Sequence, residues 1–291
     1  MRLVTFRAEG VTRIGAVRDR EVVELAEPRD MLALIDAGDA GLAAARSALA
    51  SVRARTFPLE SVELRAPVPE PRGNVIAIGR NYQAHAEESA RAAGKVVDPP
   101  TVFTKAATSV AGPHDDISID RSVTNQVDWE VELGIVIGRT GVSIPREVAL
   151  DHVLGFVTVN DVSARDVQFG WGGQYFKGKS LDGFCPIGPW IVTRDEIADP
   201  QSLRLLLRVN GVTKQDGNTR DMIYPVDAVI EWVSKGMTLR AGSIVATGTP
   251  DGVGFARTPP EFLKAGDVVE AEVVGIGVLR NRFVDSRSGP R

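Results

Sequence analysis

Three acids at alternate positions, Asp128, Glu130 and Glu132, lead into the apolar stretch Leu133-Gly134-Ile135-Val136-Ile137-Gly138. Successive side chains on a strand point to opposite faces, so these carboxylates share one face while Trp129, Val131 and Leu133 share the other. Alternate residues stand about 6.5 to 7 Å apart, where two carboxylates repel by roughly 2 kcal/mol at an effective dielectric of about 20. Either the face is solvated, as charged residues ordinarily are, or a cation sits between the acids. A hard divalent ion such as Mg²⁺ favours oxygen ligands, and keeps positions open for water and substrate when only two or three carboxylates hold it. The β-branched run Gly155-Phe156-Val157-Thr158-Val159-Asn160 ends in a further acid, Asp161, which a strand end can present toward Glu130 and Glu132. Downstream, Arg165 suits bidentate recognition of a substrate carboxylate or an ion pair within the protein.

A second constellation lies upstream. The apolar run Val75-Ile76-Ala77-Ile78 breaks at Gly79 into a polar segment of helical character, in which His85 and Glu88 are i and i+3 neighbours. A carboxylate in that position orients an imidazole and raises its basicity, which is how a water-activating base is commonly built. The structural alternative is an ordinary His-Glu pair on a helix surface.

Taken together, residues from about 70 to 284 resemble the fumarylacetoacetate hydrolase family. The resemblance rests on Gly79-Arg80-Asn81-Tyr82 with His85 and Glu88, Phe103-Thr104-Lys105, Asp128 to Leu133, Asn160-Asp161 with Ala164 to Gln168, Gly178-Lys179-Ser180 before Cys185 to Pro189, and Thr247-Gly248-Thr249-Pro250, all in the family's order. It implies an α+β fold that is mostly β, with a β-rich catalytic domain and a small N-terminal α/β cap domain. It also implies a Mg²⁺ site, with Mn²⁺ as an alternative, from Glu130, Glu132 and Asp161. The catalytic residues it implies are a mobile pair, His85 and Glu88, and Lys179. Substrate contacts would come from Lys105, Arg165, Gln168 and the Thr247, Gly248, Thr249 loop. Asp115 and Asp116 lack the context of the extra acidic ligand found in one family variant. Lys179 is preferred over Lys177 because Ser180 and the Pro186-x-Gly188-Pro189 context follow it.

The activity so implied is hydrolysis of a C–C bond in a 2,4-dioxo acid of acylpyruvate type, releasing pyruvate through an enolate. Lys179, partly desolvated beside the cation, would have its pKa lowered. The same metal and lysine would serve an oxaloacetate decarboxylase, or an isomerase or lyase acting by a keto–enol or double-bond shift. A binding module without turnover is the non-enzymatic alternative. A homodimer is implied as well.

Gly173-Gln174-Tyr175-Phe176-Lys177-Gly178-Lys179-Ser180 matches the phosphate-cradling pattern G-x-x-x-x-G-K-[ST]. That loop needs a buried strand before it and a helix after it. The Gly183 and Pro186 that follow argue against the helix. Trp171, Gln174 and Tyr175 are candidates for the substrate's surroundings, with the ordinary alternative that the aromatic rings are simply core.

The elements that must position these residues fall into two stretches. Residues 1–66 begin with short alternating runs broken by Gly10 and Asp19, expected as a small meander, followed by one or two Ala- and Leu-rich helices between Met31 and Arg55. Pro67 to Gly73 is a stiff, donor-poor separator. Residues 67–284 are expected to form the catalytic domain, with a hairpin at Asn210-Gly211, a helix from Val226 stopped by Gly236, and strands at Ser243 to Ala246 and Val268 to Val274. Residues 285–291 are expected to be a disordered tail. The 291 residues, 43% apolar and 25% charged, have ordinary globular composition. A net charge of −4 offers no basic surface for nucleic acid. No apolar run approaches a membrane span, the N-terminus lacks the apolar core of a signal peptide, and the single Cys185 suits a reducing compartment. The expected partner is a small oxo acid, and the expected compartment the cytoplasm.

Overall fold

The structure is a computed structural model that describes residues 1–93, 101–170 and 172–286. Its largest sheet has 12 strands. Along its main path it runs Thr56–Pro58, Glu21–Glu24, Val11–Arg18, Arg2–Ala8, Cys185–Thr193, Val153–Asn160, Val131–Ile137, Ile244–Ala246, Val75–Gly79 and Thr101–Lys105. A five-stranded sheet runs Val212–Asn218, Arg204–Val209, Val268–Val273, Gly277–Asp285 and Ile117–Ile119.

The continuous apolarity of the central strand has a plain cause: every residue of Val131–Ile137 is buried. Leu133, Ile135 and Ile137 pack with Leu205, Leu207, Ala271 and Phe283 of the five-stranded sheet. Val136, on the opposite face, packs with Val157, Ile191 and Leu34 of the N-terminal helix Met31–Asp36. Such a strand is covered on both sides, so it needs no polar alternation.

The N-terminal meander and its two helices, Met31–Asp36 and Gly38–Ala50, form as expected. The separator at 66–74 carries no helix or strand. Strands on its two sides nevertheless join one sheet, because Arg2–Ala8 pairs antiparallel with Cys185–Thr193. The hairpin turns at Asn210 and Gly211, both with positive φ (51° and 79°), and the helix Val226–Ser234 is followed by Gly236 at φ +68°. Asp285 belongs to the last strand, where it pairs with Ile119. The expected tail is corrected at that residue, and positions 287–291 lie outside the described residues.

Three pairings bring the chemistry to one end of the large sheet. Val131–Ile137 runs antiparallel to Val153–Asn160, with Val131 opposite Asn160 and Glu132 opposite Val159. Ile244–Ala246 flanks the same strand on its other side and runs parallel to Val75–Gly79. Asp161, Thr247-Gly248 and Arg80-Asn81 therefore follow strands that end beside Glu130 and Glu132.

Candidate active site

The expected unbroken acidic strand is interrupted. Val127–Asp128 is a separate two-residue strand paired with Ser163–Ala164, and Trp129 and Glu130 lie between it and Val131–Ile137. Asp128 accordingly leaves the face shared by the other two acids. Its carboxylate accepts from Arg165 Nε (2.8 Å) and from the amides of Gly254 (2.6 Å) and Phe255 (3.1 Å).

Glu130, Glu132 and Asp161 are buried and offer carboxylate oxygens within 4.8 Å of one another. Asp161 is drawn in by the backbone, its amide donating to the Glu130 carbonyl (2.8 Å). The Asn160 side-chain oxygen accepts from the Glu130 amide (3.0 Å). Glu132 Oε2 accepts from the Gly248 amide (2.8 Å). Gly248 sits at φ +99°, and a Cβ there would come within 2.8 Å of the Asn81 side chain and 2.9 Å of the Ile78 carbonyl, so glycine is what lets this loop close on the carboxylate.

Cations are threaded through the acids. Lys179 Nζ donates to Glu130 Oε2 (2.8 Å) and Asp161 Oδ2 (2.9 Å). Arg165 also donates to Glu130 Oε1 (2.6 Å) and Gln168 Oε1 (3.0 Å), and its guanidinium lies 4.5 Å from the Phe255 ring centroid. Lys105, completely buried, donates to Asp161 and to the carbonyls of Val162 and Lys179.

Burial alone would raise the Glu130 carboxyl, but Lys179 and Arg165 outweigh it and hold the group at about 2. Glu132 goes the other way: burial, reinforced by repulsion from Asp161 and Glu130, pushes it well above the usual carboxylate range. That surplus of buried negative charge, in an all-oxygen donor set, is what a hard divalent cation fits. The expected lowering of the Lys179 pKa supposes a bound cation; the protein groups alone act in the other direction. Burial favours its neutral form, yet Asp161 and Glu130 override burial and raise its pKa, so it stands as an ammonium.

His85 and Glu88 lie on the helix Gln83–Ala93, with Nδ1 2.9 Å from Glu88 Oε1. Glu88 is itself fixed by the Gly252 amide (3.0 Å to Oε2). With Nδ1 carrying the proton toward Glu88, Nε2 is left as the acceptor. His85, Glu130, Glu132, Lys179, Arg165 and Gln168 all line one cavity of about 50 Å³, whose wall also includes Phe103, Phe169, Phe255, Thr249, Tyr175 and Arg80.

The expected substrate contacts are thus divided. Arg165, Gln168 and Thr249 reach the cavity wall, although Arg165 is engaged by two acids. Lys105 and Thr247 stand behind the wall, the Thr247 hydroxyl donating to the Leu133 carbonyl (2.8 Å). The Gly248 amide is taken by Glu132. Asp116 pairs with Arg282 at the surface, and Asp115 accepts from the Gly112 amide; neither belongs to the acid cluster. Lys177 is exposed and Lys179 buried. The Gly173 to Ser180 segment contains only the five-residue helix Tyr175–Lys179 and is preceded by another helix, Arg165–Gly170, so it cannot be a phosphate-binding strand–loop–helix. Tyr175 lines the cavity, Gln174 is exposed, and Trp171 lies outside the described residues. Asp128 and Arg80 are site residues that the sequence did not single out for those roles.

Comparison with known proteins agrees with this geometry. A family model described as fumarylacetoacetate (FAA) hydrolase C-terminal matches residues 74–284. The chain is 46% identical over 227 residues to the Bacillus subtilis (strain 168) oxaloacetate tautomerase YisK, covering 78% of this chain and 75% of that protein. It is 40% identical over 294 residues to the mitochondrial oxaloacetate tautomerase FAHD2A of Bos taurus, covering 98% and 92% respectively. Among solved structures, fumarylacetoacetate hydrolase from Exiguobacterium antarcticum superposes with a TM-score of 0.84 at 39% identity, covering 99% of this chain and all (100%) of that one. Maleylpyruvate hydrolase from Sphingobium sp. SYK-6, solved with manganese(II) and pyruvate, gives 0.81 at 31% identity with coverage of 99% and 100%.

Proposed function

The chain belongs to the fumarylacetoacetate hydrolase family, and from that premise we propose that it is a divalent-metal-dependent enzyme interconverting the keto and enol forms of oxaloacetate. The observation that carries this reading is one cavity lined by Glu130, Glu132, Lys179 and His85, with Asp161 bonded to Lys179 at its edge. Near-full-length similarity to oxaloacetate tautomerases supports the same substrate.

Glu130, Glu132 and Asp161 would hold Mg²⁺ or Mn²⁺, which when bound supplies Lewis-acid polarisation of the 2-oxo acid end of the substrate. Enolisation requires a proton to leave C3 and another to reach O2. His85 Nε2, the ring nitrogen turned away from Glu88, is the base that takes the C3 proton, and in the reverse direction returns it. The Lys179 ammonium, kept protonated by Glu130 and Asp161, stabilises negative charge developing on O2 and hands it a proton. Arg165 and Lys105 hold Glu130 and Asp161 in place as that charge moves. The aromatic wall of Phe103, Phe169 and Phe255 limits water in the cavity.

The His85–Glu88 dyad would equally activate water, so C–C hydrolysis of a 2,4-dioxo acid is the second reading. The two are separated by following the enol absorbance of oxaloacetate and, in parallel, pyruvate release from acetylpyruvate and fumarylpyruvate, with Mg²⁺ and with EDTA. Metal-dependent acceleration of the enol–keto change without pyruvate release supports the tautomerase. Metal-dependent cleavage of a dioxo acid, with no effect on the enol, replaces it by the hydrolase. A homodimer is the proposed assembly, checked by mass in solution.

A further inference from the structure

Residues 247–253 form no helix or strand, yet amides of this loop and of the turn after it reach three carboxylates of the site. Gly248 donates to Glu132 (2.8 Å), Gly252 to Glu88 (3.0 Å) and Gly254 to Asp128 (2.6 Å). Acids keep a productive geometry only where their supports are themselves locked. The support of this loop is the strand Val212–Asn218 of the five-stranded sheet. A Cβ on Gly252 (φ +98°) would come within 2.2 Å of the Lys214 carbonyl oxygen, and one on Gly217 within 2.4 Å of the Pro250 ring. Loop and strand therefore touch directly on both sides of Gln215.

Gln215, only 1% exposed, closes a ring of hydrogen bonds across that contact. Its Oε1 accepts from the Val131 amide (3.0 Å), the Val131 carbonyl accepts from the Thr249 hydroxyl (2.9 Å), and Thr249 Oγ1 accepts from Gln215 Nε2 (2.8 Å). Nε2 donates to the Pro250 carbonyl as well (2.8 Å). A hydroxyl has one proton, and Thr249 gives it to Val131, so the group facing it from Gln215 must donate, while the group facing the Val131 amide must accept. A primary amide does both without burying a charge; an ionised glutamate only accepts. The ring joins two critical stretches. Val131 stands between Glu130 and Glu132, and Thr249 stands between Gly248, which holds Glu132, and Gly252, which holds Glu88.

We propose that Gln215, buried outside the cavity wall, is a positioning residue for the proton transfer: by tying Thr249 to Val131 it sets the loop that holds Glu88, and so aims His85 at a substrate bound by the acid cluster. The proposal rests on the reading of His85 as the base. A glutamine that merely fills the core would act on stability alone, whereas a positioning one acts on the chemistry out of proportion to stability.

The test compares Gln215→Met with Leu207→Ala, a core truncation at the position paired with Gln215 on the neighbouring strand. With saturating Mg²⁺, Gln215→Met should lower kcat for the oxaloacetate enol–keto change at least about tenfold, the scale of a small misplacement of reacting groups, with KM within about twofold of wild type. Leu207→Ala should lower the melting temperature at least as far and leave kcat nearly unchanged. Because Gln215 acts through Thr249, its effect on kcat should disappear in a Thr249→Val background. Should Gln215→Met fail to fold, Gln215→Asn, which keeps the amide but draws it back by one methylene, should lower kcat in the same sense. A readout independent of turnover is the pair of imidazole ¹⁵N shifts of His85, one of three histidines, identified by their loss in His85→Gln. They should move in Gln215→Met and stay in place in Leu207→Ala. Unmoved His85 shifts in Gln215→Met overturn the assignment. So does, in an active enzyme, an unchanged kcat, a kcat loss matched by Leu207→Ala, or full additivity with Thr249→Val. Moved His85 shifts in a protein that leaves the oxaloacetate enol unchanged sink the tautomerase reading and leave the positioning of His85 standing.

Discussion

Asp128 Oδ2 accepts from Arg165 Nε at 2.8 Å, and both side chains are buried. The pair is the hinge of the site's wiring, because Arg165 also holds Glu130, while Asp128 also receives the amides of Gly254 and Phe255. Removing one partner of such a pair leaves an uncompensated buried charge, typically costing about 3 to 5 kcal/mol. Asp128→Asn should therefore lower stability by about 3 kcal/mol and weaken activity through a displaced Glu130. Chemical denaturation monitored by circular dichroism checks this, and an unchanged midpoint would show that the pair contributes nothing net.

The two glutamates titrate in opposite senses. Glu130, held at about 2 against an ordinary 4.5, contributes stability above pH 4.5 that is lost as pH falls toward 2. Glu132, raised well above 4.5, contributes no penalty in acid and a growing one as pH rises above 4.5 through its folded value. Without divalent cation, Glu132→Gln should be more stable than wild type at about pH 8, and the difference should fade toward about pH 4. A difference independent of pH would contradict the direction assigned to Glu132.

Metal binding requires Glu132 to lose its proton, so Mg²⁺ should bind more tightly as pH rises and release a proton on binding. Calorimetry in two buffers of different ionisation enthalpy measures that proton. Glu132→Ala should stay folded while losing both Mg²⁺ binding and metal-dependent activity; retention of either removes Glu132 from the ligand set.

Lys105 and Lys179 touch the same Asp161 from different sides, one behind the wall and one within it. Lys179→Met should cost at least about a hundredfold in kcat, the scale of a general acid or a charge-stabilising donor. Lys105→Met should act chiefly on stability, by about 3 kcal/mol. Activity lost equally in both, with unchanged stability for Lys105→Met, would place Lys105 in the chemistry.

Much of this was legible in the sequence wherever local pattern decides the outcome. The helix Val226–Ser234 and the Asn210-Gly211 turn follow from spacing and backbone preference alone. The grouping of Glu130, Glu132 and Asp161 followed from two strand ends and a family resemblance. What local pattern could not show depends on distant partners. Asp128 leaves the acidic face because Arg165, Gly254 and Phe255, as many as 127 positions away, draw it aside. In the absence of a cation Lys179 has a raised pKa because Asp161, 18 positions away, and Glu130, 49 away, face it. The sharing of one sheet by the N-terminal strands was hidden for the same reason, since Leu3 pairs with Ile191.

The central claim is that His85 and the acid cluster together move a proton at C3 of oxaloacetate. It is tested most directly by the rate of enol-oxaloacetate ketonisation, measured with Mg²⁺ and with EDTA for wild type and His85→Ala. The account predicts acceleration by wild type that EDTA abolishes and His85→Ala reduces at least about a hundredfold. Ketonisation by wild type no faster than in buffer alone, or undiminished in His85→Ala, would contradict it.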